Sequence, residues 1–516
     1  MLSGRKSTIW VLPESLEPDP LIADIGEVFP TVIEQVQTTL RTWFDTFDWR
    51  LYQRGFYLYY DGVDWNLLKK ESEDVVASHT TKVASGTYFA WDFPASRIRS
   101  ILEPILEMRR LLPLVVHDSS ATCLRILNKD EKTVVQVFLE EHKLTDHKSV
   151  LRTVRLQNVR GYEKNFRELS RFLGNYGIRQ KADLFYPFTK GVELGGRQPL
   201  DYTSRFDISL KPEFSARSAM IVIYRQLLDT MQRNESGVLD DLDSEFLHDF
   251  RVAIRRTRSG LGQVKKVLSK GITDRAKKDF AWLGSITGPT RDLDVYLLYE
   301  KNYRPRLPDG LQGGLDIFFA DISERRIIAR RKLVQHMQSG KYNQILSTWH
   351  DHLYSETENE EAENSGIPVV DLSRDIISQK YRKIIKDGKA ITLSSPDEHL
   401  HRLRIECKKL RYILEFFSSL FPQKDMKQVI KLLKRLQNNL GEFNDLSVQQ
   451  DMLRNYHTTL RPGSRKNQDL AASLGGLLTN LYHEQQKVRS GFALRFSEFS
   501  ADGNALLYKK LFDLKT

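Results

Sequence analysis

The sequence predicts an α+β domain over residues 1–205, followed by an all-α region from residue 208 to about residue 510. Three observations support this division. Short aromatic and β-branched runs separated by turn residues fill the first part of the chain. From residue 208 onward, apolar residues recur at helical spacing and strand signals almost vanish. The helical part also contains an internal repeat, which favours two similar helical modules in tandem.

The N-terminal strands are predicted from four runs, RGFYLYYDG, GTYFAWDF, TCLRILNKDEKTVVQVFLEEH and SVLRTVRLQNVRG. The third run is typical of a hairpin with the turn Asn128-Lys129-Asp130. Two helical patterns lie between the runs, from Arg97 to Leu112 and from Gly161 to Gly174. Residues 194–207 are rich in Gly, Pro and Asp and are expected to link the two parts of the chain.

Composition restricts the class of protein and of partner. Hydrophobic residues at 40% and charged residues at 28% are typical of a soluble globular protein. The formal net charge of +11 favours an anionic partner without choosing among nucleic acid, a membrane surface and polyphosphate. Cys123 and Cys407 are too few for a disulfide framework or a metal cluster, and both are expected to be buried thiols. Neither a long apolar span nor a secretory signal is recognisable, so a cytoplasmic protein is expected.

The internal repeat has an offset of 153 residues. The segment LHDFRVAIRRTRSGL, which starts at Leu247, aligns with LHRLRIECKKLRYIL, which starts at Leu400. A second pair of segments, LGSITGPTRDLDV and LQNNLGEFNDLSV, has the same offset. The matched cationic positions are His248 with His401, Arg251 with Arg404, Arg255 with Lys408, Arg256 with Lys409, Arg258 with Arg411 and Lys278 with Lys431. Two blocks in one register indicate a true repeat.

The first segment of each repeat is predicted to form a helix with a cationic stripe beside an apolar face. At about 100° per residue, His248, Arg251, Arg255 and Arg258 fall within an arc of about 80°. The second repeat places His401, Arg404, Lys408 and Arg411 in the same way. The adjoining apolar faces consist of Phe250, Ile254 and Leu261 in the first repeat and Leu403, Cys407 and Leu414 in the second.

Two explanations of the stripes stay open. A cationic stripe is often only a solvated face, but such a face normally mixes charges to gain i,i+4 ion pairs. Here like charges crowd together in both repeats, which favours relief by a bound polyanion. Neutralisation within the protein by Asp292 and Asp445 is the alternative. His248 and His401 begin the stripes, where an imidazole can donate to a phosphate oxygen, and no metal-ligand spacing accompanies them.

The histidine blocks, of pattern H-x2-R-x3-[RK]-[RK]-x-R, and the later G-x3-D-L turns resemble the CHAD domain, the conserved-histidine α-helical domain, over about residues 208–510. The acidic run 355–366 is an expected linker that divides this region into repeat one, 208–354, and repeat two, 367–510. The resemblance implies tandem four-helix bundles related by a pseudo-twofold axis, with a basic groove that binds inorganic polyphosphate. The contacts it implies in this chain are His248, Arg251, Arg255, Arg256, Arg258, Lys278, His401, Arg404, Lys408, Lys409, Arg411 and Lys431.

The stretch RTWFDTFDWRLYQRGFYLYY, from Arg41, resembles a segment of CYTH domains, which are β-barrels of the triphosphate tunnel type. Active members of that family begin with an E-x-E-x-K strand whose carboxylates bind a divalent metal. The corresponding strand in this chain carries Lys6, Thr8 and Trp10 in place of the acids. The resemblance therefore implies a degenerate CYTH-like barrel over residues 1–205, with no catalytic residue, metal or cofactor. The basic residues that could face its interior are Arg125, Lys132, Arg152 and Arg155.

The stripes together with the CHAD resemblance imply a cytoplasmic, non-catalytic polyphosphate-binding protein. Association with polyphosphate granules is a hypothesis that rests on the resemblance. One rival is a metal-dependent triphosphatase or polyphosphatase that uses the N-terminal barrel, which the missing acidic strand disfavours. The other rival is a nucleic-acid-binding protein, favoured by the net charge alone. Base readout usually interleaves Asn, Gln or aromatic residues with the cations, whereas the two stripes are nearly pure charge. No membrane partner is predicted, and the oligomeric state is left open.

Overall fold

The structure, a computed structural model, describes residues 7–80, 86–145, 149–355, 362–460, 463 and 465–513. The chain divides into two compact units, Met1–Ser204 and Arg205–Thr516. The first unit combines an antiparallel sheet with helices and the second is built from helices, so the predicted α+β and all-α classes are confirmed. Among the described residues, no helix is both long enough and apolar enough to cross a membrane.

The N-terminal unit is built on a nine-stranded antiparallel sheet. Its strands are β1 (Ser7–Val11), β2 (Thr31–Asp45), β3 (Phe56–Tyr60), β4 (Asp64–Lys69), β5 (Val75–Thr80), β6 (Leu112–Leu127), β7 (Thr133–Leu144), β8 (Val150–Asn158) and β9 (Lys181–Ala182). Their order in space is β5-β4-β3-β2-β6-β7-β8-β1-β9. The expected closed barrel is wrong. A barrel requires its edge strands to pair, and within the described residues β5 and β9 remain the two separate edges of an open sheet.

Local predictions in this unit have mixed outcomes. The β6–β7 hairpin is confirmed, and the Asn128 side chain fixes its turn by accepting hydrogen bonds from the backbone N–H groups of Asp130 and Lys132. The GTYFAWDF run is not a strand, because a 3₁₀ turn at Ala90–Asp92 interrupts it. Its Asp92 carboxylate holds that turn by accepting the backbone N–H of Phe89.

Helices cover both faces of the sheet. They are α1 (Pro18–Val28), α2 (Arg50–Gln53), α3 (Arg97–Leu106), α4 (Glu163–Asn175) and α5 (Tyr186–Leu194). Leu21 of α1 and Leu169 of α4 are buried against Leu124 of β6. On the opposite face, Phe188 of α5 is buried near Val115 of β6. The helix expected to run to Leu112 ends at Leu106, since the next residue adopts a positive φ of 51°.

The helices of the second unit recur at the same 153-residue offset as the sequence blocks. They are α6 (Ala216–Leu239), α7 (Ser244–Gln263), α8 (Lys270–Leu298), α9 (Glu300–Tyr303), α10 (Gly313–Met337), α11 (Gly340–Tyr354), α12 (Val369–Lys389), α13 (Asp397–Phe416), α14 (Gln423–Thr458), α15 (Arg465–Ser490), α16 (Phe492–Ser500) and α17 (Asp502–Phe512). The helices α12, α13 and α14 begin 153 residues after α6, α7 and α8. The ends of α7 and α13 are also 153 residues apart. One offset therefore describes both the sequence blocks and the helices.

Helices from the two repeats share one hydrophobic core. Leu315 and Phe318 of α10 are buried together with Leu453 of α14 and Leu474 of α15. The stripe helices α7 and α13 also pack against each other. The two repeats are thus joined through their helices, and the two cationic stripes are brought side by side.

The acidic linker is only partly described, because residues 356–361 lie outside the described residues. Near its end, Glu363 forms an ion pair of 2.6 Å with Lys266. The backbone N–H of Asn364 donates to the carbonyl oxygen of Lys266. These contacts attach the described end of the linker to the segment between α7 and α8.

Candidate functional site

The two stripe helices have the buried apolar faces that the sequence predicts. The side chains of these faces are at most 2% exposed, and they are Phe250, Ile254, Leu261, Leu403, Cys407 and Leu414. The start of α7 is fixed by Asp243, whose carboxylate accepts the backbone N–H groups of Glu245 and Phe246. Because the apolar face is held in the core, the cationic residues beside it are fixed at the edge of the helix interface.

The stripes meet in a cavity of about 410 Å³ between α7, α8, α13 and α14, which we call the central groove. Ten of its lining residues form five pairs that are 153 positions apart. These pairs are Arg251 with Arg404, Arg255 with Lys408, Asp292 with Asp445, Val295 with Val448 and Tyr296 with Gln449. His248, Arg291 and Tyr299 complete the lining. Equivalent positions of the two repeats therefore contribute to the same cavity.

Positive charge is in excess in the central groove. Five lining side chains are cationic, and two, Asp292 and Asp445, are acidic, which leaves a surplus of three positive charges. Arg255 is exposed, and within the described part of the chain it has no hydrogen-bonding or ion-pair partner. A concave surface with one sign of charge raises the local concentration of ligands of the opposite sign.

Burial and crowding lower the pKa values of three groove cations. Desolvation, followed by the positive charges of Arg404 and Arg255, lowers the pKa of Lys408 to about 8. Desolvation is also the largest cause of the lowered pKa values of Arg251 and Arg404. The groove therefore holds its positive charges at an energetic cost, which a bound anion would reduce.

The acidic residues of the groove neutralise part of this charge. Asp445 pairs with Arg404 at 3.2 Å between Oδ1 and Nη2. The negative charge of Asp292 raises the pKa of Arg251 and so opposes the larger lowering that burial causes. The guanidinium of Arg251 itself donates to the carbonyl oxygen of Gly284 and to Oγ1 of Thr287. Outside the lining, Glu245 also pairs with Arg291 at 3.8 Å. Internal neutralisation is thus real but incomplete, because the five lining cations outnumber these three carboxylates.

Seven of the twelve predicted contacts lie outside the groove lining. Arg256 and Arg411 both donate to the carboxylate of Glu415, at 2.9 and 2.6 Å. Lys409 donates to Glu406 at 2.8 Å. The remaining four are solvent-exposed: Arg258, Lys278, His401 and Lys431. The structure therefore gathers His248, Arg251, Arg255, Arg404 and Lys408 at one place and the other seven elsewhere.

Sequence comparison of the repeats overlooks several groove residues. Arg291 lies in the second shared block, but its equivalent in repeat two is Asn444, so a search for identical positions passes over it. Tyr296 has a non-identical equivalent for the same reason, since Gln449 stands 153 residues later. Arg291 directly precedes Asp292, and Tyr296 follows it by four residues, or about one helical turn. This closeness to the equivalent aspartates was the signal available in the sequence.

A family model described as CHAD domain matches residues 222–454. This region is a CHAD domain. The matched range contains both stripe helices and every residue that lines the central groove. The family inferred from the paired histidine blocks is therefore confirmed for this part of the chain.

Solved structures similar to the chain include the CHAD domain from the plant Ricinus communis, which is 25% identical, with a TM-score of 0.47 over 57% of this chain and 95% of that chain. PptA from Streptomyces chartreusis is 18% identical, with a TM-score of 0.44 over 55% of this chain and 99% of that chain. A Hippeastrum protein named as an adenylyl cyclase, with a dominant triphosphatase activity, is 15% identical. Its TM-score is 0.25 over 39% of this chain and 100% of that chain. No curated protein matches the sequence.

The N-terminal unit has a strand at the position expected for metal-binding carboxylates. This strand is β1, and it carries Thr8 and Trp10, while Lys6 lies outside the described residues. In the part of the chain that the structure describes, no group of three or more His, Cys, Asp and Glu side chains could hold a metal ion. The Asp45 carboxylate in the CYTH-like segment is used structurally, since it accepts the backbone N–H groups of Thr46, Leu51 and Tyr52 around α2.

Three of the four basic residues proposed for the interior of this unit have carboxylate partners. Arg125 pairs with Glu34, Arg152 pairs with Glu17 and Glu141, and Arg155 pairs with Glu140. Arg152 and Arg155 are three residues apart on β8, so their side chains point to opposite faces of the sheet. Lys132 is exposed beside the β6–β7 turn. These residues do not form a second cationic cluster comparable to the central groove.

Proposed function

We propose that the CHAD domain binds inorganic polyphosphate in the central groove without hydrolysing it. The observation that carries this proposal is the surplus of three positive charges that the two repeats contribute to one cavity. Guanidinium and ammonium groups only donate hydrogen bonds, so their natural ligand is an anion rich in acceptor oxygens. A bare phosphate chain has this chemistry along its whole length.

The groove cations contribute to phosphate binding in different ways. Arg255 supplies a planar group that can donate two parallel hydrogen bonds to one phosphoryl group, whereas Lys408 acts as a point charge. Arg291 is held by its hydrogen bonds to the carbonyl oxygen of Ser244 and to His248, so it supplies a fixed charge. Arg251 is already anchored to Gly284 and Thr287, so it supplies a fixed charge at the wall of the groove. Binding then relieves the mutual repulsion of these cations, which supports affinity without requiring a large contact area.

Binding without turnover is supported by the N-terminal unit. Enzymatic phosphoryl transfer generally needs metal ions or equivalent charges that neutralise the transferring group. The β1 strand offers Thr8 and Trp10 where metal-binding acids would be required. A protein that binds polyphosphate without degrading it could associate with polyphosphate granules in the cytoplasm. Loss of colocalisation with the granules in a strain that carries Arg255→Ala would support this role, and unchanged colocalisation would contradict it.

Calorimetric titration of the full-length chain with long-chain polyphosphate tests the binding proposal. The titration is carried out at physiological salt, with double-stranded DNA of equal total charge as competitor. We expect tight binding that DNA does not displace, and about tenfold weaker binding for Arg255→Ala, equivalent to about 1.4 kcal/mol. Arg495→Ala is the matched control, because it removes the same formal charge from an exposed pair with Glu498 on α16. Ready displacement by DNA, or equal losses in both variants, would contradict a specific polyphosphate site.

Hydrolysis is tested separately. The full-length chain is incubated with tripolyphosphate and with long-chain polyphosphate in the presence of Mg²⁺ or Mn²⁺, and released phosphate is measured. We expect no release above the rate without protein. Protein-dependent release that is lost on removal of the metal would favour the triphosphatase instead.

A further inference from the structure

The central groove adjoins a second cavity of about 490 Å³ between α8, α10 and α14, which we call the apolar cavity. Tyr296 and Val448 line both cavities and form the boundary between them. The long helix α14 continues under both, since it supplies Asp445 to the groove and Met452 to the apolar cavity. Val448 is 48% exposed, so this boundary is accessible from solvent and a ligand in the groove can extend over it into the apolar cavity.

The apolar cavity is unsuited to a continuing phosphate chain. Its only cation among the described lining residues, Arg325, pairs with Asp321 at 2.7 Å and lies over the ring of Tyr456. Its carboxylate, Asp451, pairs with Arg454 at 3.1 Å. The cavity therefore has no surplus positive charge, and phosphate oxygens would approach a carboxylate there. Charge favours phosphate on one side of the Tyr296–Val448 boundary and disfavours it on the other.

The same cavity is suited to a flat organic group. Leu293, Tyr296, Met452 and Tyr456 offer apolar and aromatic surface, and its volume is typical of small-molecule sites. Asn455 supplies a side-chain amide at the exposed side of the cavity. Aromatic rings stack on nucleobases of any sequence, and an amide can both donate to and accept from a base edge. This combination of a ring-lined cavity next to a phosphate site is the pattern that a nucleotide requires.

We propose that the central groove and the apolar cavity together bind a nucleoside oligophosphate. Its phosphates lie among the groove cations, and its base enters the apolar cavity over Tyr296 and Val448. The inference rests on the proposed function, because it uses the central groove as the phosphate site. It adds that the site prefers a ligand with a nucleoside at one end, and an inorganic chain has no such group.

Adenosine triphosphate and inorganic tripolyphosphate are the probes, titrated calorimetrically into the full-length chain without divalent metal. We expect adenosine triphosphate to bind about tenfold more tightly, because stacking of one base contributes on that scale. Met452→Ala should remove most of this difference and leave the affinity for tripolyphosphate unchanged. Ile328→Ala is the matched control, since Ile328 is an exposed apolar residue of α10 outside the cavity, and it should change neither affinity.

The outcomes separate this inference from the proposed function. Equal affinity of the two probes in the unaltered protein overturns the base site, and so does an equal loss for both probes in Met452→Ala. Asn455→Ala, a change at an exposed position, repeats the test if Met452→Ala does not fold, and an unchanged preference for adenosine triphosphate then overturns the inference. Binding of long-chain polyphosphate without a nucleotide preference removes only the base site. Failure of all three anions to bind removes the proposed function as well.

Discussion

Arg291 donates a hydrogen bond from Nη2 to Nδ1 of His248 at 2.9 Å. A guanidinium cannot accept, so neutral His248 carries its proton on Nε2. In the second repeat the equivalent contact joins Asn444 Oδ1 to Nδ1 of His401 at 2.6 Å, and the Asn444 amide donates to Asp445. His401 is therefore the donor of its bond and carries its proton on Nδ1. The two histidines are fixed in opposite tautomers, and only His248 lines the central groove.

Replacing Arg291 by Gln should weaken polyphosphate binding about tenfold. Gln can still donate to His248, but the groove loses one of its five positive charges, and a hydrogen bond to a charged group contributes about 1.5–3 kcal/mol. Asn444→Ala is the comparison, because Asn444 holds His401 outside the groove lining, and its affinity should change little. Calorimetry at constant salt measures both variants. A larger loss for Asn444→Ala would contradict the groove as the principal site.

Affinity for polyphosphate should fall as the pH rises from 7 to 9. The pKa of Lys408 is lowered to about 8 in the free groove, mainly by burial, so this side chain loses its proton over that range. A bound anion favours the charged form, and binding is therefore coupled to proton uptake. For one such group the affinity decreases about tenfold between pH 7 and pH 9. Lys408→Arg keeps its charge and should give a flat profile. The same decline in Lys408→Arg would show that another group is responsible.

Glu415→Gln should destabilise the helical unit by about 2 kcal/mol, a value reduced from that of a fully buried pair because Arg411 is partly exposed. Glu415 is the shared acceptor of Arg256 on α7 and Arg411 on α13, so both guanidinium groups lose their counter-charge. Urea unfolding followed by far-ultraviolet circular dichroism measures the change. Glu498→Gln breaks an exposed pair with Arg495 and should cost far less. Equal stabilities of the two variants would contradict a structural role for Glu415.

The N-terminal unit should lose stability as the pH falls below about 6.5. His117 and His142 are at most 3% exposed on β6 and β7, and burial is the main cause that lowers both pKa values to about 3. An unfolded histidine takes up a proton near pH 6.5, whereas these folded ones do not, so stability decreases from pH 6.5 toward pH 3. Hydrogen exchange of β6 and β7 peptides, corrected for intrinsic rates, measures the effect. The double variant His117→Asn/His142→Asn should show a weaker dependence, and an unchanged one would contradict this cause.

The sequence predicted more of the fold of the helical unit than of the site within it. Helical periodicity and a fixed offset are local properties of the sequence, so the stripe helices α7 and α13 were recognisable without their packing. Which stripe residues share a cavity depends on that packing. Arg255 and Arg256 are adjacent in sequence but about 100° apart around the helix, so one lines the groove and the other reaches Glu415. In the N-terminal unit, whether the sheet closes into a barrel depends on pairing between strands that are distant in sequence. Local sequence patterns do not determine that pairing.

The five residue pairs of the central groove resemble the interface of a symmetric dimer that has been joined into one chain. In a true twofold dimer every residue of the site occurs twice, so the two ends of the site are necessarily identical. A single chain is free of that constraint, and here Arg291 lines the groove, whereas its equivalent Asn444 lies outside the lining and contacts His401. The site consequently has a direction. An inorganic chain has two identical ends and cannot exploit that direction, whereas a ligand with one distinctive end can be held in a single orientation.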